Sequence, residues 1–198
     1  MAALLRRGNS WVRRHPLATA TSVTGAKACA ADLVIQTIVE RREKVDRPRA
    51  ILFGSFGCLY QGCFQYWMYN HLYERLFPGA AIGMVVRKVL ASNLISDPCF
   101  FFPCFYTMRE IVHTRPSSLN PADLVPSLGI CFSNGMTTYS QNYWQDWLNS
   151  WSIWVPGYAV TYGVCPVHLR MPFIAAVSFG YVALLSSTRG DMGKGPDK

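Results

Sequence analysis

The sequence predicts an all-α membrane protein, a polytopic bundle of about four transmembrane helices, some of them kinked or broken. Residues 16–39 carry only two charges, Lys27 and Asp32, over a length that would cross a bilayer as a helix. Charged residues inside the later apolar runs are few, and lipid excludes them, so they are predicted to face inward. Those later runs, with one charge or none, are residues 50–69, 89–108, 124–145, 147–167 and 171–188.

The first run organises the prediction. At about 1.5 Å per residue, a helix over residues 16–39 is roughly 36 Å long, whereas a bilayer core is about 30 Å thick. Because hydrocarbon does not solvate a carboxylate, the face with Asp32 is predicted to pack against a neighbouring helix. A soluble amphipathic helix packed on a core is the alternative. Residues on that face lie four, three and four positions apart: Gly25, Cys29, Asp32 and Gln36.

The composition agrees with a membrane protein without establishing one. Hydrophobic residues make up 51% of the chain and charged residues 15%, which is below the usual share of about a quarter. The mean hydropathy of +0.13 is low for a membrane protein, because polar residues lie inside the apolar runs. The net charge of +8 comes from Lys and Arg dispersed among the connections. This pattern argues against a nucleic-acid partner and favours membrane lipids, anionic ones included.

The run over residues 89–108 contains the second intramembrane acid. Asn93 and Asp97 lie four residues apart on one face, and Pro98 follows, so we expect a kink. Lys88 precedes Asp97 by nine residues and lies on another face, which argues against an ion pair within the helix.

The two acids, Asp32 and Asp97, need partners on other helices. Lys27 and Arg170 are the candidate cations for that role. Arg170 lies in the short segment 168–170 between the last two runs, and those runs are either a hairpin or one kinked helix.

An aromatic stripe at helical spacing begins at the end of the fourth run, and Pro156-Gly157 is predicted to interrupt the next run, which carries most of it. Such a stripe anchors a helix at the membrane interface or packs it against a neighbour, and a cofactor site is the less common alternative. The stripe consists of Trp144, Trp147, Trp151, Trp154 and Tyr158.

No catalytic signature occurs in a suitable context, so we expect no enzyme, no cofactor and no metal site. The four histidines are dispersed, and the acids identify no substrate group. The cysteines form no CxxC pair and are expected to be packing residues. They are Cys29, Cys58, Cys63, Cys99, Cys104, Cys131 and Cys165.

The chain divides into three predicted regions. Residues 1–15 are basic and free of acids, as at the start of mitochondrial proteins. Residues 16–188 form one membrane-embedded helical domain, and residues 189–198 form a polar tail.

The order of these residues resembles the Mpv-seventeen/peroxisomal membrane protein twenty-two (Mpv17/PMP22) family from residue 15 to residue 186. Its departures from the family pattern include Ser92-Asn93 in place of an Asp-Gln pair and Gln61-Gly62 in place of a Gly-Pro pair. The residues that carry the resemblance are Pro16, Gly25, Asp32, Gln36, Trp67, Leu72, Lys88, Pro98, Trp154, Pro166 and Arg170.

The resemblance implies a small integral protein of the mitochondrial inner membrane or, alternatively, of peroxisomes. It also implies channel-like passage of small solutes and metabolites. The alternative is a non-catalytic structural or accessory subunit of a larger inner-membrane complex, and a second copy of the chain is a further expected partner. The candidates for a polar interior or pore are Asp32, Gln36, Lys88, Asn93, Asp97 and Arg170.

Overall fold

The computed structural model describes residues 10–114 and 121–180, with only the backbone for residues 121–125. Most of residues 1–15 and the whole 189–198 tail therefore lie outside the described residues. The regular structure described is helical throughout, which confirms the all-α prediction. We number the helices α1 (Pro16–Val39), α2 (residues 47–76), α3 (residues 82–114), α4 (Pro121–Gly163) and α5 (Val167–Gly180).

Helix α1 matches the first predicted span. It begins at Pro16, whose missing N–H costs nothing in a first helical turn, and it ends in a π-helical turn at Ile35–Val39. The helix has 24 residues, and its most apolar window has a mean hydropathy of 1.2. Among the described helices it is the one that is both long and apolar enough to cross a membrane by length and composition.

Helix α2 begins where the side chain of Asp46 accepts a hydrogen bond from the Arg49 backbone N–H at 3.2 Å. This contact satisfies one of the free donors of the first turn, and Pro48 occupies a position that tolerates proline. Two π-helical segments follow, Gly57–Gln65 and Met68–Leu72. The helix ends before Gly79, whose φ of +84° suits glycine.

Helices α3 and α4 contain prolines in their interiors. Pro98 lies inside a ten-residue π-helical segment, Ser92–Phe101, within α3. Helix α4 continues for 43 residues through Pro126 and Pro156, so the predicted interruption at Pro156-Gly157 is wrong. The chain leaves the helix after Gly163 and re-enters one at Val167, so the last two runs form separate helices.

The described residues fall into two compact units. The first, unit one, holds α1, α2 and α5, and the second, unit two, holds α3 and α4 and comprises residues 79–164.

Helices α1 and α2 of unit one pack closely through glycine. A Cβ added to Gly57 would lie 2.5 Å from the Thr24 carbonyl oxygen, and one at Gly25 would lie 2.2 Å from Cys58 Sγ. The Thr24 hydroxyl donates to the Gly57 carbonyl at 2.7 Å across this contact. Gly25 thus has the close-packing role that the sequence predicted for its face.

Helices α3 and α4 of unit two cross closely at Gly135. A Cβ there would lie 3.0 Å from the backbone of Tyr106 and Thr107. The Tyr106 hydroxyl also donates a short hydrogen bond to Asp146.

The burial of several side chains is inverted relative to a water-soluble protein, although apolar residues such as Met171 and Ile174 are buried as well. Charged and amide side chains such as Lys88, Asp97 and Gln36 are almost fully buried. Large apolar side chains such as Leu59 and Ile95 are 69% and 56% exposed. Water-soluble proteins rarely bury Lys or Asp and avoid large exposed apolar patches, so an apolar solvent is the environment that fits this surface.

Candidate functional site

The six residues proposed as a polar interior are all buried, with exposures between 0% and 5%. They lie three in each unit, and the units divide the site into two networks. Unit one contains Asp32, Gln36 and Arg170, and unit two contains Lys88, Asn93 and Asp97.

In unit one, Asp32 forms a buried ion pair with Arg49. Asp32 Oδ1 lies 2.8 Å from Arg49 Nε, and the two side chains are 3% and 14% exposed. The sequence offered Lys27 and Arg170 as cations, but Arg49 fills that role because the turn between α1 and α2 folds the first turn of α2 back against the end of α1. Sequence reasoning missed Arg49, although its place just before an uncharged run was a signal.

Gln36 joins the end of α1 to the start of α2. Its Nε2 donates to Asp32 Oδ2 at 2.6 Å and to the Asp46 carbonyl at 3.1 Å, and its Oε1 accepts from the Asp46 N–H at 2.6 Å. Its side chain therefore has an acceptor for its amide nitrogen and a donor for its amide oxygen, which a buried amide requires. Gln36 fixes the turn and has no spare group for a solute.

Glu40 lies in the connection outside the apolar runs and extends this network. Its carboxylate accepts from Arg49 Nη1 at 2.8 and 2.9 Å and from Arg42. Partial burial raises the pKa of Glu40, but the hydrogen bonds and charges of Arg49 and Arg42 outweigh it, so the net pKa lies below its usual value.

Arg170 begins the helical part of α5 and binds α2. Its Nη1 lies 2.6 Å from Glu74 Oε1 and donates to the Tyr69 carbonyl at 3.3 Å. The sequence anticipated a buried acid as a partner for Arg170 but did not identify Glu74, which lies at the polar end of α2.

In unit two, Lys88 is fully buried and donates from Nζ to the Gly79 carbonyl at 2.9 Å. Its ammonium lies 5.9 Å from the centroid of the Tyr162 ring, within the range of a cation–π contact. Lys88 therefore connects the start of α3 with the end of α4.

Pro98 explains why two tryptophans of the aromatic stripe, Trp147 and Trp151, direct their indole N–H groups at the α3 backbone. Proline has no N–H, so in a π-helical segment the carbonyl five residues before it, that of Asn93, loses its helical donor. The Trp147 and Trp151 indole N–H groups donate to this carbonyl at 2.9 and 3.4 Å. These two residues of the stripe therefore satisfy the backbone at the proline, a role that the sequence analysis did not assign.

Asp97 and Asn93 leave acceptor atoms without partners. Asp97 Oδ1 accepts from the Tyr158 hydroxyl at 3.3 Å, whereas Oδ2 is buried with no hydrogen-bond donor among the described residues. Asn93 Nδ2 donates to the Val89 carbonyl at 2.9 Å, and its Oδ1 is likewise unpartnered within residues 10–114 and 121–180. Instead of the expected cation, a tyrosine hydroxyl faces Asp97.

The outer face of α4 carries uncharged polar residues among exposed apolar ones such as Leu148, which is 63% exposed. Opposite the aromatic residues, exposed amides and hydroxyls recur at steps that keep them on one face of the helix. We call this set the α4 polar stripe, and it consists of Asn134, Gln141, Gln145, Asn149 and Ser152.

The remaining signature residues have structural positions. Pro16 begins α1, Trp67 is 51% exposed on α2, and Trp154 stacks on Tyr158 with ring centroids 5.1 Å apart. Pro166 precedes α5.

The six candidates coincide with neither a metal site nor the cavity at the end of α2. Within the described part of the chain, no three or more His, Cys, Asp or Glu side chains are grouped to hold a metal ion. A cavity of about 530 Å³ lies at the end of α2, and its lining residues do not include the six candidates.

Comparisons with known proteins give one consistent relationship. The model of the Mpv17 / PMP22 family matches residues 129–186. A protein named Mpv17-like protein, from Xenopus laevis, is 22% identical over 180 residues, which cover 90% of this chain and 79% of that protein. No solved structure matches the chain.

Proposed function

We propose that this chain is a member of the Mpv17/PMP22 family, whose model matches residues 129–186, and that it is an integral membrane protein that passes small solutes or controls their passage. The family consists of organelle membrane proteins, and this supports a membrane location for the chain. We further propose that the protein is not an enzyme and that four helices, α1 to α4, cross the membrane. Each has at least 24 residues, or roughly 36 Å, against a bilayer core of about 30 Å.

The inverted burial supports the membrane assignment. Buried charges such as those of Lys88 and Asp32 have contacts inside the protein, while apolar side chains such as Leu59 form the surface. Buried polar residues such as Gln65 in α2 and Asn93 in α3 lower the hydropathy of their helices, and they face other protein groups rather than lipid.

The observation that carries solute passage is the α4 polar stripe. Its amides are exposed in one chain, and lipid does not satisfy them, whereas the Ser152 hydroxyl donates to the Asn149 carbonyl at 2.8 Å. Either water or a second polar surface must cover them, and water along such a stripe gives small hydrated solutes a path. Since the stripe has no charge, we propose that it selects by size rather than by the sign of the solute's charge.

A flux assay tests this proposal. The purified chain in vesicles is expected to release a small hydrophilic dye faster than protein-free vesicles do. Gln141→Leu with Gln145→Leu is expected to slow release at least severalfold, since apolar side chains dewet the path. Ser55→Leu, an exposed polar position on α2, is the matched control and is expected to release dye like the wild type.

Vesicles with the wild-type protein that release dye no faster than protein-free vesicles would overturn solute passage, provided that the protein is inserted and helical.

The second candidate function is a structural subunit of a larger mitochondrial inner-membrane complex. The observation that favours it is the closed network of unit one, in which Asp32, Gln36 and Arg170 all bind other protein groups. Purification in mild detergent with fixed stoichiometric partners, together with no flux, would support this candidate.

We also propose the mitochondrial inner membrane as the location, with the peroxisomal membrane as the alternative. The support is the sequence of residues 1–15, which contains four arginines and no acid. Imaging a carboxyl-terminally tagged full chain against markers of both organelles tests this, and a peroxisomal signal alone would contradict it.

A further inference from the structure

The cavity at the end of α2 is lined by none of the six candidate residues, although Glu74 of its wall pairs with Arg170. It has a volume of about 530 Å³, within the usual range for small-ligand sites. Its lining residues are Trp67, Asn70, His71, Leu72, Glu74 and Arg75.

Asn70 supplies the first argument that this cavity holds a polar group. The residue is 6% exposed, and both its Nδ2 and its Oδ1 lack a hydrogen-bonding partner within the described part of the chain. Burying an amide without partners costs free energy, and an unsatisfied amide at a functional position needs an explanation. A ligand with acceptor and donor oxygens in the adjacent cavity supplies both.

The charges at the cavity favour an anion. Arg75 is exposed, and the structure records no ion pair for it among residues 10–114 and 121–180. The acid of the wall, Glu74, is neutralised by Arg170 at 2.6 Å. The His71 ring packs edge-on against the Tyr66 ring with centroids 5.7 Å apart, which holds one imidazole edge beside the cavity.

The position along α2 places the cavity at the depth of lipid headgroups. The uncharged run over residues 50–69 ends as the cavity begins, so the polar residues Asn70 to Arg75 come directly after the apolar span. Trp67 is 51% exposed at this boundary, where tryptophan is enriched in membrane proteins.

We propose that this cavity binds the phosphate group of an anionic phospholipid. This inference rests on the proposed membrane location. The Arg75 guanidinium pairs with the phosphate oxygens, the Asn70 amide bonds to phosphate and headgroup hydroxyl oxygens, and Trp67 packs beside the glycerol backbone. A soluble phosphate ester shares this chemistry, so the experiment must separate the two sources.

The test measures lipid retention by native mass spectrometry of the full chain in detergent. Phosphatidylglycerol and phosphatidylcholine are added in equal amounts, and glycerol 3-phosphate is added in a separate arm. The wild type is expected to retain phosphatidylglycerol preferentially. Arg75→Gln is expected to weaken this retention about tenfold, since a hydrogen-bonded charge is lost. Asn70→Leu is expected to weaken it as well.

Arg87→Gln is the matched control, because Arg87 is an exposed arginine on α3 that does not line the cavity. It is expected to retain lipid like the wild type. Equal losses in Arg75→Gln and Arg87→Gln, or no headgroup preference, would overturn the proposal. Saturable binding of glycerol 3-phosphate without lipid preference would identify a soluble-phosphate site instead and would also overturn it.

The failure of this inference is distinguishable from that of the proposed function. If the chain stays in membranes and releases dye but shows no headgroup preference, the lipid site alone is wrong. If alkaline carbonate extracts the chain from membranes, the proposed function is wrong with it.

Discussion

Replacing Asp32 with asparagine is expected to destabilise the protein more than breaking the exposed ion pair between Arg42 and Glu40 in the connection between α1 and α2. The Asp32 carboxylate is 3% exposed, and Arg49, its partner at 2.8 Å, is 14% exposed. The substituted amide keeps the shape of the side chain and an oxygen for Gln36, but it leaves the Arg49 charge without its buried partner.

Breaking a buried ion pair by removing one partner costs about 3–5 kcal/mol. Arg49 retains Glu40 at 2.8 and 2.9 Å, so part of its charge stays balanced. We therefore expect a loss of about 2–3 kcal/mol in the free energy of unfolding, at or just below the lower end of that range. Arg42→Gln is the control, because Arg42 is 45% exposed and such pairs are worth about 1 kcal/mol or less.

The assay is equilibrium unfolding in mixed micelles, followed by far-ultraviolet circular dichroism. A double-mutant cycle with Arg49→Gln isolates the pair, and we expect a coupling of about 1–2 kcal/mol. The reasoning is refuted if Asp32→Asn costs no more than Arg42→Gln, or if the cycle shows no coupling.

Three further predictions use the same unfolding assay. Gly57→Ala is expected to lower the free energy of unfolding by about 1–3 kcal/mol because its Cβ would lie 2.5 Å from the α1 backbone. Gly83→Ala is the control, since a Cβ there has nothing within 4 Å, and it is expected to be neutral or slightly stabilising. Equal effects of the two substitutions would contradict the contact between α1 and α2. Trp147→Phe is expected to lower the free energy of unfolding by about 1 kcal/mol, because it removes a hydrogen-bond donor from the Asn93 carbonyl that Pro98 leaves free. Trp144→Phe is the control, since Trp144 is 68% exposed. A larger cost for Trp144→Phe would argue against this role of Trp147. Folding lowers the pKa of Glu40, so its stabilising contribution is present above its unfolded pKa of about 4.3 and is lost as the pH falls through the lower folded pKa. In Glu40→Gln, the free energy of unfolding should therefore fall less steeply at acid pH than in the wild type. An unchanged acid pH dependence would count against the Arg42 and Arg49 contacts.

Local patterns predicted which residues are buried. The steps of three and four in α1 placed Asp32 and Gln36 on the face that packs on α2, and the structure buries both. Helical periodicity is a local property of the sequence, and a carboxylate is not stable in lipid, so the sequence alone was sufficient to predict that Asp32 and Gln36 are buried.

The partners of those residues were not predictable in the same way. Arg49 meets Asp32 only because the turn between α1 and α2 folds back, and Glu74 meets Arg170 across a separation of nearly a hundred residues. The geometry of a chain reversal decides such contacts, and helical spacing does not encode it.

The sequence predicted a kink at Pro98 and an interruption at Pro156-Gly157, and the second prediction was wrong. The kink expected at Pro98 appears as a π-helical segment whose free carbonyl is satisfied by tryptophan from α4. At Pro156 the helix continues without interruption, as membrane helices can when they lose one backbone hydrogen bond to proline. Local propensity alone did not distinguish the two cases.

Oxygen accessibility of spin labels on the outer faces tests the central claim, that lipid is the solvent for this surface. Labels are placed at Leu59 and Ile95, which are 69% and 56% exposed, and at Arg42 in the connection as a water-facing reference. In vesicles, we predict that labels at Leu59 and Ile95 collide mainly with dissolved oxygen and are shielded from a water-soluble nickel complex, in contrast to Arg42. Nickel accessibility at Leu59 and Ile95 equal to that at Arg42 would contradict the account.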